Sequence, residues 1–278
     1  MTGRALVLGG GGLAGIAWET GVLAALADAG ADVAAADFLL GTSAGATVSA
    51  QVGSGVPVAE LLARQVEPAR QAAELVPDPA AVAALMESWE TMAADADADP
   101  GGQRRQVGGL ALQADTVPEA RRREVIAGRL PDHSWPDRAL AVVAVDAHSG
   151  EPRVFDRASG VDLIDAVAAS CAVPGIWPPV TIGGRRYIDG GVRSTVNADL
   201  AAGYGRVLIL VPMADPALDA QVAALAEAAE VEVISADEET VAAFGVNPLD
   251  PAVRPGAARA GYAQGERDAA RIAPWWKS

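Results

Sequence analysis

Gly41-Thr42-Ser43-Ala44-Gly45 constrains this 278-residue chain more tightly than any other stretch. The apolar run Phe38-Leu39-Leu40 before it predicts a buried strand. Ala46-Thr47-Val48-Ser49-Ala50-Gln51-Val52 after it predicts a helix. A strand that turns into a helix this sharply needs small residues on both sides of the turn. Gly41 and Gly45 let the backbones pass closely and accept strained dihedrals. Ser43 then projects from the strand tip, near a helix N-terminus, where developing negative charge is favoured. This is the setting of a G-x-S-x-G nucleophile elbow. Alone, the same pattern reads equally well as a Gly/Ser turn between two buried elements, so its meaning rests on the rest of the chain.

Ala5-Leu6-Val7-Leu8 predicts a first buried strand, ending in Gly9-Gly10-Gly11-Gly12. A helix is expected from Leu13 to about Ala29, with Gly30 as its terminator. Residues 57–92 read as a helical region broken by prolines, and 93–102 as an acidic loop whose alternating aspartates lack the spacing of a calcium loop. Residues 103–129 read as helical, with Arg121, Arg122 and Arg123 exposed. Further strands are expected at Ala139–Val145, at 151–156 as its hairpin partner, at Arg185–Ile188 running into Asp189, at Val207–Val211 and at Val231–Ile234. Helices are expected at 161–170, 197–203 and 255–272. Strands alternating with helices predict an α/β fold, a three-layer α/β/α sandwich around a mostly parallel sheet. We expect one domain over 1–278, with 57–128 as a cap-like helical insertion and 213–278 as a C-terminal helical extension.

The formal net charge is −15. That argues against nucleic acid as a partner, because phosphate binding needs basic surface. It also argues against broad attachment to anionic membranes, though not against transient contact or an apolar lipid substrate. Cys171 is the one cysteine, which excludes an internal disulfide framework and fits a reducing cytoplasm. The apolar start after Arg4 is broken by glycines and by Glu19, so a signal peptide is not expected. Trp275-Trp276 suits a membrane interface and a docked terminal helix equally.

A serine hydroxyl needs a base. His133 and His148 are the two histidines, and both sit in expected surface loops. Asp189 is the better candidate: it ends a short strand, and Gly190-Gly191 lets the backbone turn tightly behind it. Asp-Gly-Gly is also an ordinary turn sequence. Gly10, Gly11 and Gly12 supply consecutive N–H groups at a helix start, where an oxyanion can be received. The competing reading is dinucleotide binding, since Gly9, Gly11 and Ala14 fit G-x-G-x-x-A. However, the second strand runs into Gly41-Thr42-Ser43 where that motif wants an acidic residue.

Taken together, Gly9 to Gly15, Gly41-Thr42-Ser43-Ala44-Gly45 and Asp189-Gly190-Gly191, in this order, resemble the patatin-like phospholipase family. Ala169 to Gly175, Pro178-Pro179-Val180 and Asn197-Ala198-Asp199 extend the resemblance, which covers roughly residues 4–212. It implies a lipid acyl hydrolase with a Ser43–Asp189 dyad. Ser43 would be the nucleophile, Asp189 the base, and Gly10, Gly11 and Gly12 the oxyanion hole, supported by Gly41, Gly45, Gly190 and Gly191. No metal or cofactor is implied. Ala14 departs from the pattern, because the family's glycine loop usually carries Lys or Arg there. That favours a neutral ester, a lysolipid or a free acyl substrate, and it is also the main support for the alternative, a non-catalytic binder of acyl ligands.

Overall fold

The computed structural model describes residues 3–84, 87 and 99–278. The expectation of an acidic loop therefore falls largely outside the described residues. Alternating apolar runs build an eight-stranded sheet: β1 (Arg4–Leu8), β2 (Phe38–Thr42), β3 (Ala139–Asp146), β4 (Pro152–Phe155), β5 (Val180–Ile182), β6 (Arg185–Asp189), β7 (Arg206–Val211) and β8 (Glu230–Ser235). The order is β5-β6-β3-β2-β1-β7-β8, with β4 paired on β3. β3, β2, β1, β7 and β8 run parallel, and β4, β5 and β6 add antiparallel pairs at the β3 end.

The period of two along each strand divides the core. Leu6, Leu8, Leu39, Val142, Leu208 and Leu210 face one side. Ala5, Val7, Leu40, Val143, Val207 and Ile209 face the other. The first side is covered by α1 (Gly12–Asp28), α2 (Ala44–Gly53), α3 (Val58–Val66), α6 (Leu163–Ser170) and the long C-terminal helix α9 (Arg254–Lys277). The second is covered by a 3-10 turn at Ala198–Ala201 and by α7 (Leu218–Ala226). This is the expected mostly parallel α/β arrangement, with one helical layer much thicker than the other. α8 (Glu238–Phe244) leads into α9. Residues 213–278 thus contribute a sheet strand, β8, as well as helices.

Several local expectations are corrected. Asp99 accepts from the Gly101 and Gly102 N–H groups, and Pro100 follows it, so α4 (Pro100–Gln113) begins inside the stretch read as a loop. An Asp cap with proline in the first turn is a strong helix start despite two glycines. The 103–129 region is two helices, because Pro118 separates α4 from α5 (Glu119–Arg129). Arg121 is exposed as expected, but Arg122 is buried. The helix expected at 197–203 is the short 3-10 turn.

α1 and α9 pack backbone to backbone. A Cβ on Gly261 would run into the Trp18 carbonyl, and one on Gly21 would run into the Ala258 carbonyl. Trp18, fully buried, donates from Nε1 to Gln264 Oε1 at 3.0 Å. Gln264 donates to Ser235 O at 2.7 Å, which ties α9 to the end of β8. The terminal tryptophans dock on the protein. Trp276 is buried, Arg4 lies over its ring, and Arg206 lies over Trp275. Among the described residues, no helix is long and apolar enough to cross a membrane.

This packing sets a test. Gly261→Ala is expected to destabilise by about 1–3 kcal/mol through overpacking, although alanine is the better helix former by about 1 kcal/mol. Gly256→Ala, on the same helix but with its nearest neighbour 3.9 Å away, is expected to stabilise. Urea midpoints that move the same way for both would refute the close crossing.

Candidate active site

The register on β3 brings the two candidate residues together. β2 pairs along β3 up to Thr42↔Val143. β6, running the other way, begins its pairing at Asp189↔Ala144. β4 pairs with Val142 to Val145, so it occupies the opposite edge of β3. β2 and β6 therefore share one edge and meet end to end, with Ser43 and Asp189 at the junction.

Ser43 sits at the sharp turn from β2 into α2 with φ 54 and ψ −111, a conformation rarely adopted by a residue with a side chain. Such a backbone costs about 1–3 kcal/mol and persists only where its surroundings hold it. Those surroundings are identifiable. The Gly45 N–H donates to Gly9 O at 2.9 Å, and a Cβ on Gly45 would overlap the Leu8 carbonyl. Gly41 is crowded in the same way by the Gly45 carbonyl. The Ser43 N–H donates to Ser170 Oγ at 2.8 Å, and the Cys171 thiol donates to Ser43 O at 3.1 Å. The end of α6 thus grips the turn from both sides. Burial pushes the Cys171 thiol up, consistent with a structural rather than reactive cysteine. Ser170 and Cys171 fall in a segment that extends the family resemblance, but their hold on the Ser43 backbone is visible only in the fold.

Asp189 is 5% exposed. Its Oδ1 accepts from the Gly191 N–H at 2.8 Å. Its Oδ2 has no hydrogen-bond partner. Burial pushes the carboxyl up to about 7, and the Gly191 N–H and adjacent Ser43 hydroxyl offset part of the rise. The Ser43 hydroxyl is near enough to favour the charged carboxylate. Gly190 passes tightly against the Val143 carbonyl. Asn197, fully buried, clamps the junction: Nδ2 donates to Thr42 Oγ1 at 3.1 Å and to Gly190 O at 3.4 Å. One side chain thereby joins the residue before Ser43 to the residue after Asp189.

The glycine loop lies beside Ser43, with a Cβ built on Gly10 only 3.5 Å from the Ser43 Cβ. The Gly10 N–H, however, donates to Thr195 O at 2.7 Å and is committed. Gly11 and Gly12 have no such acceptor among the described residues. Ala14 is fully buried, so the loop offers no cation there. His133 and His148 are both exposed in loops. A narrow cleft with about 340 Å³ of empty space is lined by Gly12, Leu13, Ser43, Ala44, Arg122 and Trp177, among others. Leu75, Arg122 and Arg129 bring residues of 57–129 to its wall.

Below the glycine loop, Glu19 of α1 is fully buried and neither carboxyl oxygen has a hydrogen-bond partner. Burial pushes it well above the carboxylate range, and the neighbouring Gly9 N–H lowers it by less. In the unfolded chain this group ionises near 4.5. Stability is therefore full below that pH and is lost as pH rises toward the folded value. Glu19→Gln is expected to gain stability relative to the parent between pH 5 and 8, read from urea midpoints. A difference that is flat with pH would show that Glu19 does not titrate in this way.

The model of the patatin-like phospholipase family matches residues 6–202. Among solved structures, VipD from Legionella pneumophila superposes with a TM-score of 0.49 at 13% identity, over 97% of this chain and 67% of that one. Because the family match spans well over half of the chain and contains the glycine loop, the Ser43 turn and Asp189, the protein belongs to the patatin-like phospholipase family, a family of lipid acyl hydrolases.

Proposed function

We propose that this protein hydrolyses carboxylic esters of lipids through Ser43 and Asp189. The observation that carries the reading is the end-to-end meeting of β2 and β6 on one edge of β3. It sets a strained serine against a buried carboxyl that has one unpaired oxygen and a pKa of about 7. A base poised near the working pH suits proton abstraction from a hydroxyl.

In this reading Ser43 Oγ attacks the acyl carbonyl carbon while its proton passes to Asp189 Oδ2. The carbonyl oxygen gains the negative charge and is received by the Gly11 and Gly12 N–H groups at the start of α1. Gly10 positions the loop through Thr195 instead of donating to substrate. Collapse of the tetrahedral intermediate breaks the ester C–O bond, and Asp189 returns the proton to the leaving alcohol. Water then attacks the acyl-serine as Asp189 takes its proton; the second tetrahedral intermediate collapses, the bond from Ser43 Oγ to the acyl carbon breaks, Asp189 returns the proton to Ser43 Oγ, and the acid is released. We further propose that the chain acts as one catalytic domain in the cytoplasm, with residues 57–128 covering the cleft, and that it meets lipid surfaces transiently.

Labelling with a fluorophosphonate probe, read by intact mass, tests the nucleophile. One adduct is expected on the parent and none on Ser43→Ala; no adduct on folded parent with detergent present would refute the reading. The base is tested by pH. Asp189 works ionised, so kcat/KM is expected to rise with pH through an apparent pKa near 7 and to fall about tenfold per unit below it. Asp189→Asn is expected to lose at least 10³-fold in kcat. A flat profile between pH 5 and 8 would remove Asp189 from the role.

A further inference from the structure

Three buried guanidiniums share one carboxylate beside the cleft. Arg122, Arg129 and Arg254 are 4%, 9% and 4% exposed. Arg129 takes both oxygens of Glu74, at 2.8 and 2.7 Å. Arg254 is held by neutral acceptors: Gln65 Oε1, Ala72 O and Arg64 O. Arg122 is left over. Its nearest carboxylate oxygen, Glu74 Oε2, is 4.0 Å away and already bonded to Arg129. Among the described residues its Nε and Nη1 are buried with no hydrogen-bond partner. Its guanidinium lies over the Trp177 ring, 3.9 Å from the centroid. Glu74 at 4.0 Å and the indole face are its compensation there, and an apolar side chain would fill the same buried space more cheaply. Burial and the charge of Arg129 pull Arg122 down to about 9, so it remains a cation at neutral pH.

Arg122 lines the same cleft as Ser43. Cys171, whose thiol donates to Ser43 O, lies close enough to both Arg122 and Arg129 to feel their charge. A second cavity, of about 440 Å³, shares Leu13, Ile16 and Arg129 with the first and adds Arg64, Arg70 and Arg254. Arg64 and Arg70 pair with Glu60 and Glu67, and Arg129 with Glu74, so Arg122 and Arg254 carry the positive charge beyond these pairs in a chain of formal net charge −15. The glycine loop supplies none of it, because position 14 is alanine.

We propose that Arg122 is a specificity-determining residue of the Ser43 cleft that binds the negative group, a phosphate ester or a carboxylate, of a single-chain amphiphile. The apolar chain would lie against Leu13, Ile16, Val173 and Leu249, which line the same cleft. A planar guanidinium braced by an indole is preorganised for either anion. This deepens the ester-hydrolase reading and rests on it for the identity of the cleft. It narrows the substrates that Ala14 suggests to those that carry a negative group.

The test is equilibrium binding to the full-length Ser43→Ala protein, which removes turnover. The ligands are dodecyl phosphate, dodecanoate and dodecan-1-ol, each below its micelle concentration. At least one anion is expected to bind tenfold or more tightly than the alcohol, and which one does so identifies the source of the charge. Adding Arg122→Met is expected to bring anion affinity down to that of the alcohol, while Arg122→Lys retains part of the preference. Equal binding of all three ligands overturns the proposal, even if Arg122→Met does not fold. So does unchanged anion affinity in a folded Arg122→Met protein. Failure of the hydrolase reading is separable: anion preference without Ser43 labelling leaves the anion site standing and removes the nucleophile. Labelling without anion preference does the reverse.

Discussion

The edge of β3 that carries both β2 and β6 is the constraint on which the site depends. A strand edge offers one row of hydrogen-bonding groups. Two strands arriving from opposite directions can share that row only by stopping where they meet. Thr42 and Asp189 are those stopping points. The next residue on one side is Ser43, and on the other Gly190 turns away past the Val143 carbonyl. The pairing of a hydroxyl with a carboxyl is thus set by backbone register, and the side chains need little freedom to find each other. Asn197 secures the same junction by bonding to both sides of it.

The burial that creates this geometry also sets its electrostatics. Asp189 is buried, so its charged form is disfavoured and its pKa rises. Glu19, below the glycine loop, shows the same effect without a functional partner. Burial also acts on Arg122, which lines the cleft with Ser43 and whose carboxylate neighbour, Glu74, is 4.0 Å away and bonded to Arg129. The site therefore combines a carboxyl pushed up by burial with a weakly compensated cation. Both are departures from minimum energy that a folded protein sustains only with tight packing around them. The glycine contacts between α1 and α9 and around Gly45 are that packing.

Much of this was legible in the sequence because it is local. Small residues around Ser43 and Asp189 are demanded by turns of a few residues, and a strand followed by glycines is visible as a pattern. The apolar runs marked β1, β2, β3, β7 and β8, since period-two burial needs no partner to be recognised. Other features were not legible. The three consecutive arginines at 121–123 read as a solvated face. Yet a helix turns 100° per residue, so its middle residue can point inward while its neighbours do not. Ser170 and Cys171 lie in a segment that extends the resemblance, yet their grip on the Ser43 backbone depends on where α6 ends. Gly10 looked equivalent to Gly11 and Gly12 until Thr195, far away in sequence, claimed its N–H.

By itself, then, the sequence marked most of the strands, the family, and the two residue types at the heart of the site. Each of these follows from short-range sterics and from periodicity along the chain. The tertiary structure alone decided which N–H groups stay free, which arginine loses its counter-ion, and that Trp275 and Trp276 dock on the protein. These outcomes turn on long-range competition for hydrogen-bond acceptors, carboxylates and buried volume. Such competition is settled only when distant segments are brought together, because each acceptor, charge or cavity can be used once.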